Sequence, residues 1–154
     1  PLGQETAATM DAVFNTVAEA HDVEDPTLHI EAREIKAVRR AGGVAWFNFK
    51  TLCGGPRSQN DYLEISNLFH TVLLSEVPYM PPKMASEARR FTWLIDVFYD
   101  HKVKLIISAE VPAENLYTEG PMANEFHRTV SRIIEMQSKE YLEAPRRIVD
   151  TSLT

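Results

Sequence analysis

Two short apolar runs in this chain end in nearly the same acidic, proline-bounded sequence, and a long amphipathic segment lies between them. The first run is "TVLLSEVP", residues 71–78, and the second is "KLIISAEVP", residues 104–112. Apolar side chains in the intervening segment recur at the spacing of one helix face: Met84, Ala88, Phe91, Ile95 and Phe98. A strand, a helix and a second strand with short connections predict neighbouring parallel strands, at residues 72–74 and 103–107, covered by helices.

The rest of the chain predicts an α/β fold: a parallel-type sheet covered by helices, preceded by an N-terminal helix and a β-hairpin. Residues 1–20 have the periodicity of an amphipathic helix, residues 27–142 form the expected α/β domain, and residues 143–154 are expected to be a flexible tail. Three more strands are predicted, at residues 28–30, 34–39 and 44–49.

Three local signals refine this outline. Gly42 and Gly43 form a permissive turn before the strand at residues 44–49, which is apolar on both faces and is therefore expected in the sheet interior. Ser58 and Asp61 have the spacing of a helix cap, so a helix is expected to follow them. A closing helix is predicted over residues 122–137.

Composition excludes several classes of function. The net charge of −6 argues against non-specific binding to nucleic acid, which depends on a basic surface. The apolar runs are far shorter than the ~20 residues that span a bilayer, and no signal segment opens the chain, so the cytoplasm is the expected compartment. The single cysteine, Cys53, excludes an intramolecular disulfide and is expected to be a buried apolar residue.

Glu76 and Glu110 are the acidic candidates, because each follows an apolar strand at the edge where open α/β sheets collect ligands. Acids in such positions hold magnesium or activate water beside a nucleotide. That chemistry needs a phosphate-binding loop, and the sequence has no glycine-rich stretch ending in Lys-Ser or Lys-Thr. The alternative is that both side chains make hydrogen bonds within their loops or pair with arginine.

Arg89 and Arg90 are the basic candidates, since a guanidinium can fork onto a phosphate or a carboxylate. The alternative is an ion pair for one of them, with Glu76, Glu87 or Asp96, and a solvated position for the other. The histidine and cysteine spacing does not suit zinc, and the elbow motif of a serine nucleophile is absent, so no metal ligand or catalytic residue is assigned.

Three longer stretches together resemble one protein family. They are "NFKTLCGGPRSQNDYLEISNLFHTVLLSEVPYM", "SEARRFTWLIDVFYDHKVKLIISAEVPAENLY" and "EFHRTVSRIIEMQSKEYL". In order and spacing they resemble the carboxyl-terminal part of the ZapE-type cell-division ATPases of bacteria, which are relatives of the mitochondrial AFG-type ATPases and similar to AAA-type P-loop ATPases. The resemblance is close between residues 44 and 142.

The resemblance implies that the phosphate loop, the Walker B acids and the first sensor of the family lie upstream of Pro1. ATP and magnesium are therefore implied for a longer parent protein, and no cofactor is expected within this chain. It also raises the hypothesis that residues 72–117 are a degenerate P-loop-like half without a Walker A motif. Glu76 would then stand where an acid on the magnesium side stands, and Glu110 at a sensor-like strand end.

These observations leave three functions open. The first is a non-catalytic, C-terminal domain of an AAA-type ATPase in bacterial cell division, which packs on its own ATPase domain and couples nucleotide state to a neighbouring subunit or partner, with Arg89 or Arg90 near the nucleotide. The second is an autonomous module that docks on a division-ring protein through an exposed apolar patch around Tyr79, Met80 and Trp93. The third is a hydrolase whose acids, Glu76, Glu110 and Asp61, converge in one pocket.

Overall fold

A computed structural model describes residues 4–18, 24–146 and 149. The described strands are β1 (Thr27–Ile30), β2 (Arg33–Lys36), β3 (Arg39–Ala41), β4 (Val44–Asn48), β5 (Thr71–Val77) and β6 (Lys104–Ala109). The described helices are α1 (Gln4–Ala18), α2 (Phe49–Cys53), α3 (Gln59–Leu68), α4 (Ala85–Asp100), α5 (Phe126–Met136) and α6 (Lys139–Glu143).

The main sheet has the strand order β3-β4-β5-β6. Strands β4, β5 and β6 are parallel, which confirms the parallel pair expected from the two apolar runs. Strand β3 is antiparallel to β4, so the sheet is mixed rather than wholly parallel. The expected interior position of the strand at residues 44–49 is also confirmed, because β4 pairs on both sides.

The strand expected at residues 34–39 is wrong as a single element, because the chain changes sheets within it. Strand β2 pairs with β1 in a separate hairpin, whereas β3 belongs to the main sheet. The switch occurs between Ala37 and Val38: the amide of Ala37 donates to the carbonyl of Pro26, and that of Val38 donates to the carbonyl of Trp46. Each backbone group is therefore satisfied by a different sheet, which the local sequence does not reveal.

Helices cover both faces of the main sheet. Alternate residues of β4 point to opposite faces. Phe47 packs with α3, α4 and α5 in the larger apolar core, while Trp46 packs against Met10 and Phe14 of α1 in the smaller one. Arg39 holds α1 to the sheet, with its Nη1 2.6 Å from the carboxylate of Asp11 and its guanidinium over the Phe14 ring.

Side chains from the C-cap of α5 and from α6 protect the outer edge of β6. The side-chain amide of Gln137 donates to the carbonyl of Leu105 at 2.9 Å, and the Tyr141 hydroxyl donates to the carbonyl of Val103 at 3.0 Å. The ammonium of Lys104 in turn binds the carbonyls of Leu142 and Ala144. An edge strand covered in this way is a poor template for pairing with another chain.

One expected boundary differs from the structure, and two expected elements extend beyond the described residues. Helix α5 begins at Phe126 rather than Met122, because Met122 has a left-handed backbone with φ of 67° and is 62% exposed. The expected helix end at residue 20 falls outside the described residues. Of the expected flexible tail, residues 147, 148 and 150–154 also fall outside them.

Candidate functional site

The parallel strands bring their carboxyl ends to one edge of the sheet, and a groove of about 600 Å³ opens there. We call it the sheet-edge groove. Its lining combines strand ends, the α2 region and the start of α4: Asn48, Phe49, Lys50, Gly54, Gly55, Glu76, Pro78, Met84 and Glu87. Of the sequence candidates, Glu76 therefore lies where ligands of open α/β sheets collect.

A bulge in β5 directs Glu76 into this groove. Leu74 pairs with Ile107, but the next partners are Val77 and Ala109, so Ser75 and Glu76 together oppose a single residue of β6. Glu76 takes a left-handed backbone with φ of 61° and has an exposed side chain. For a residue other than glycine, that conformation is unfavourable by about 1–2 kcal/mol. Strain of this kind clusters at functional sites, which makes Glu76 the strongest candidate of the groove.

A buried relay of hydrogen bonds orients Asn48 at the end of β4. The indole Nε1 of Trp46 donates to the Ser75 hydroxyl at 2.8 Å, and that hydroxyl donates to the Asn48 carboxamide oxygen at 2.7 Å. The Asn48 amide nitrogen is left as a donor for the groove. Sequence reasoning missed Asn48, although a polar residue directly after the apolar run "VAWF" was a usable signal.

Glu110 connects the two acidic loops to each other. Its backbone amide donates to the carbonyl of Val77 at 2.8 Å, and its carboxylate accepts a hydrogen bond from the amide of Tyr79 at 2.9 Å. Glu110 is thus held by the loop that follows β5. This is the alternative in which the acid makes hydrogen bonds between loops instead of holding magnesium. The two Glu-Val-Pro segments thus lie next to each other at the ends of neighbouring parallel strands.

Arg89 and Arg90 point to different parts of the molecule. The Nε of Arg90 donates to the carbonyl of Cys53 at 2.7 Å and so holds α4 to the end of α2. Arg89 is exposed on the other side of α4, and its guanidinium makes no hydrogen bond or ion pair with the described residues. Neither arginine lines the sheet-edge groove, and their expected proximity to nucleotide stays a prediction.

Asp61 has a structural environment. Its carboxylate is fully buried, receives both contacts of Arg33 Nη2 at 2.6 and 2.7 Å, and accepts from the amide of Ser58 at 2.7 Å. The helix cap expected from Ser58 and Asp61 is confirmed. Of the three acids in the hydrolase hypothesis, Glu76 lines the sheet-edge groove, whereas Asp61 is paired with Arg33 and Glu110 is bonded to the amide of Tyr79, and neither of these two lines that groove.

Cys53 is buried against Tyr62, whose hydroxyl donates to the carbonyl of Leu52 at 2.6 Å and contacts the thiol. Burial raises the pKa of Cys53 to about 12 and also raises the pKa of Tyr62. The expected buried position of Cys53 is confirmed. A thiol with such a pKa stays neutral near pH 7 and is a poor nucleophile.

The expectation of an exposed apolar patch around Tyr79, Met80 and Trp93 is wrong for Met80. Met80 is completely buried, because its amide donates to the carbonyl of Leu116 and its side chain joins the larger core. Tyr79 is 39% exposed, and Trp93 is half-buried. Trp93 instead lines a second, smaller groove beside α4, together with Arg89.

The groove does not fit the phosphates of ATP. Among the described residues that line it, Lys50 is the one cation, whereas Glu76 and Glu87 would repel a phosphate. Helix α2 is a single short turn without a glycine-rich loop before it. No cluster of three potential metal ligands forms among residues 4–18, 24–146 and 149. Over the same residues, no helix is both long and apolar enough to cross a bilayer.

Comparison with known proteins identifies relatives along nearly the whole chain. It is 45% identical over 143 residues to "Cell division protein ZapE" of Escherichia coli K12, covering 93% of this chain and 38% of that protein. It is 34% identical over 166 residues to "Lactation elevated protein 1 homolog B" of Danio rerio, covering 86% of this chain and 33% of that protein. No solved structure matches significantly.

The chain thus spans well under half the length of these two relatives. The family model described as AFG1-like ATPase matches residues 1–145, which include the strained Glu76, the two acidic loops and all of α4. The chain belongs to the AFG1-like ATPase family.

Proposed function

We propose that this chain is the C-terminal, non-catalytic part of an AAA-type ATPase that acts in bacterial cell division. In this proposal it packs on an ATPase domain that holds ATP and magnesium, and it couples the nucleotide state to a neighbouring subunit or a division-ring partner in the cytoplasm. Membership of the AFG1-like ATPase family and the similarity to "Cell division protein ZapE" support it.

One observation supports the coupling role. Among its described residues, the sheet-edge groove contains an acidic residue with a strained backbone, Glu76, and no loop that could bind a phosphate. Glu76 is held in a left-handed bulge beside Glu87, and its carboxylate makes no hydrogen bond with the described residues. Two carboxylates and the Asn48 amide suit a cationic or amide-rich surface of another domain better than an anionic nucleotide. The groove therefore contributes contacts, and ATP chemistry is supplied elsewhere.

The βαβ unit supports the further proposal that β5, α4 and β6 are a degenerate P-loop-like half. Strands β5 and β6 are adjacent and parallel, as that hypothesis requires, and Glu76 and Glu110 follow their apolar runs at the same edge. In such a half, Glu76 stands in the place of a magnesium-side acid. Glu110 instead accepts a hydrogen bond from the neighbouring loop.

The first experiment measures ATP binding and hydrolysis by residues 1–154 alone, with magnesium, by calorimetry and phosphate release. A cooperative melting transition serves as the control that the isolated chain is folded. We expect neither binding nor turnover, and clear turnover by this chain would refute the non-catalytic assignment.

The second experiment places Glu76→Gln in the full-length protein and compares it with Glu114→Gln, an exposed acid outside both grooves. We expect Glu76→Gln to change ATP turnover by roughly fivefold or more, the lower range of coupling between sites. Glu114→Gln should behave as wild type. Equal turnover in all three proteins would argue against coupling through this groove.

A further inference from the structure

Asn48 occupies a position at which its usual local hydrogen bond is not made. It is the N-cap residue of α2, where an asparagine side chain normally accepts from an amide of the first helical turn. Its side chain makes no such bond, and its carboxamide oxygen lies 2.7 Å from the Ser75 hydroxyl instead. The amides of Lys50 and Thr51 therefore lack the acceptor that the sequence provides next to them. Sequences set aside a local preference of this kind chiefly at functional sites.

The direction of each bond in this relay follows from the donors and acceptors present. An indole nitrogen can only donate, so the Ser75 hydroxyl accepts from Trp46 at 2.8 Å. The hydroxyl has one proton of its own, and the Asn48 oxygen is the acceptor that the described residues offer it. Ser75 is 3% exposed, and a buried hydroxyl without an acceptor is unfavourable. The Asn48 oxygen therefore faces Ser75, and its amide is available to the sheet-edge groove.

The relay is held by rigid parts of the fold. Asn48 and Ser75 are paired residues on adjacent parallel strands. Trp46 is buried in the smaller core, with its ring 6.4 Å from that of Phe14 on α1. A polar group fixed in advance by strands and by a packed indole loses little conformational entropy when it binds.

The groups that line the groove divide by the element that carries them. The described donors, Asn48 and Lys50, come from the end of β4 and the start of α2. The carboxylates, Glu76 and Glu87, come from β5 and α4. A surface that covers the groove must therefore accept a hydrogen bond opposite Asn48 and donate one opposite the carboxylates.

We propose that Ser75 is a positioning residue for the sheet-edge groove. It draws the Asn48 side chain away from the N-terminus of α2 and fixes the amide as a donor. The covering surface places a carbonyl or carboxylate oxygen against that amide. The positioning concerns this chain alone, whereas the contact with a covering surface rests on the proposed coupling function.

Hydrogen exchange followed by NMR tests the positioning in this chain alone, with a cooperative melting transition as the folding control. Ser75→Ala frees the Asn48 oxygen to cap α2, so amide exchange at Lys50 or Thr51 should become roughly fivefold slower. A merely structural role predicts the opposite sign, because the same substitution leaves the Trp46 indole without its acceptor. Unchanged or faster exchange at both amides would overturn the proposal.

Two further variants complete this experiment. Ser108→Ala, at a serine of the neighbouring strand β6, is the matched control and should leave the exchange of the α2 amides as in wild type. Ser75→Ala combined with Trp46→Phe removes the indole donor together with its acceptor. The double variant should show the same slower exchange, and it supplies the readout where Ser75→Ala alone does not fold.

ATP turnover by the full-length protein tests the contact at Asn48. Asn48→Asp keeps an oxygen for the Ser75 hydroxyl but replaces the amide with an oxygen that cannot donate. We expect turnover to change by roughly fivefold or more, as for Glu76→Gln, and Asn48→Ala, which adds no charge, should act alike. If Glu76→Gln changes turnover and the Asn48 variants do not, the donor role of Asn48 is overturned while coupling stands. If none of them changes it, the coupling role fails, and the exchange experiment still decides the positioning by Ser75.

Discussion

The carboxylate of Glu110 accepts a hydrogen bond from the backbone amide of Tyr79 at 2.9 Å, across the 31 residues that separate them in sequence. This bond joins the loop after β5 to the loop after β6. Together with the bond from the Glu110 amide to the carbonyl of Val77, it fixes the positions of the two loops relative to each other at the sheet edge. The bulge that carries Glu76 lies directly before the first of them.

Removing this carboxylate should loosen the first loop. Glu110→Ala leaves the Tyr79 amide without its acceptor, which should lower the free energy of local opening by about 1 kcal/mol, the net value of a typical hydrogen bond. Hydrogen exchange of the Tyr79 amide, followed by NMR, should therefore be faster than in wild type. Glu114→Ala, an exposed acid nearby, is the control, and an unchanged Tyr79 rate would contradict the assigned bond.

Replacing Glu76 with glycine should show whether the backbone of the bulge is strained. Glu76 has φ of 61°, a region that glycine adopts without steric strain, so Glu76→Gly should raise the free energy of unfolding by up to about 1 kcal/mol. Glu76→Gln keeps the strain and should be as stable as wild type. Urea unfolding of the three proteins checks this, and a glycine variant less stable than the glutamine variant would mean that the bulge is not strained.

The two neighbouring arginines should differ in their effect on stability. Arg90→Ala removes the donor to the carbonyl of Cys53 and should lower the free energy of unfolding by about 1–2 kcal/mol. Arg89→Ala removes an exposed side chain with no partner among the described residues and should change it by less than about 0.5 kcal/mol. Chemical denaturation of both variants measures the difference, and similar losses for the two would count against the divergent placement.

Adjacent glycines beside the sheet-edge groove offer a matched pair. A Cβ added to Gly54 would lie 2.7 Å from the carbonyl oxygen of Lys50, whereas a Cβ on Gly55 would meet nothing within 4 Å. Gly54→Ala should therefore lower the free energy of unfolding by about 1–3 kcal/mol, as overpacking does, and Gly55→Ala should be close to neutral. Thermal melting of both variants tests this, and equal melting temperatures would refute the close contact.

Local signals were sufficient for the elements whose cause is local. The cap of α3 depends on Ser58 and Asp61 three residues apart, and the parallel pair depends on two apolar runs joined by an amphipathic helix, so both were predictable. The switch of the chain between two sheets at Ala37 was not, because its cause is hydrogen bonding to the distant Pro26 and Trp46. Nothing within residues 34–39 distinguishes one strand from two.

The candidate site was predictable in place but not in detail. The sequence located Glu76 and Glu110 at one sheet edge, yet their different environments come from a bulge at one and a bond to Tyr79 at the other. Met80 was expected in an exposed apolar patch together with Tyr79 and Trp93. Its burial depends on the segment around Leu116, which no local pattern brings next to it.

The buried thiol of Cys53 should make the protein less stable in alkali. Burial raises its pKa from 9.0 to about 12, so the folded state holds this proton more tightly than the unfolded state does. The resulting stabilisation is complete below about pH 9 and is lost as the pH rises towards 12, by up to about 1.4 kcal/mol per pH unit. The raised pKa of Tyr62 acts in the same direction above pH 10, the usual value of its hydroxyl.

Urea unfolding of wild type and Cys53→Ala at a series of pH values from neutral to alkaline isolates this contribution. The variant loses some stability at every pH because of the cavity that it creates, so the slope against pH is the informative quantity. We expect the wild-type curve to fall more steeply above pH 9, since Cys53 is the chain's single cysteine and the variant has no thiol to titrate. Parallel curves would show that the thiol titrates alike in the folded and unfolded states, and Cys53 would then have to be reached by water.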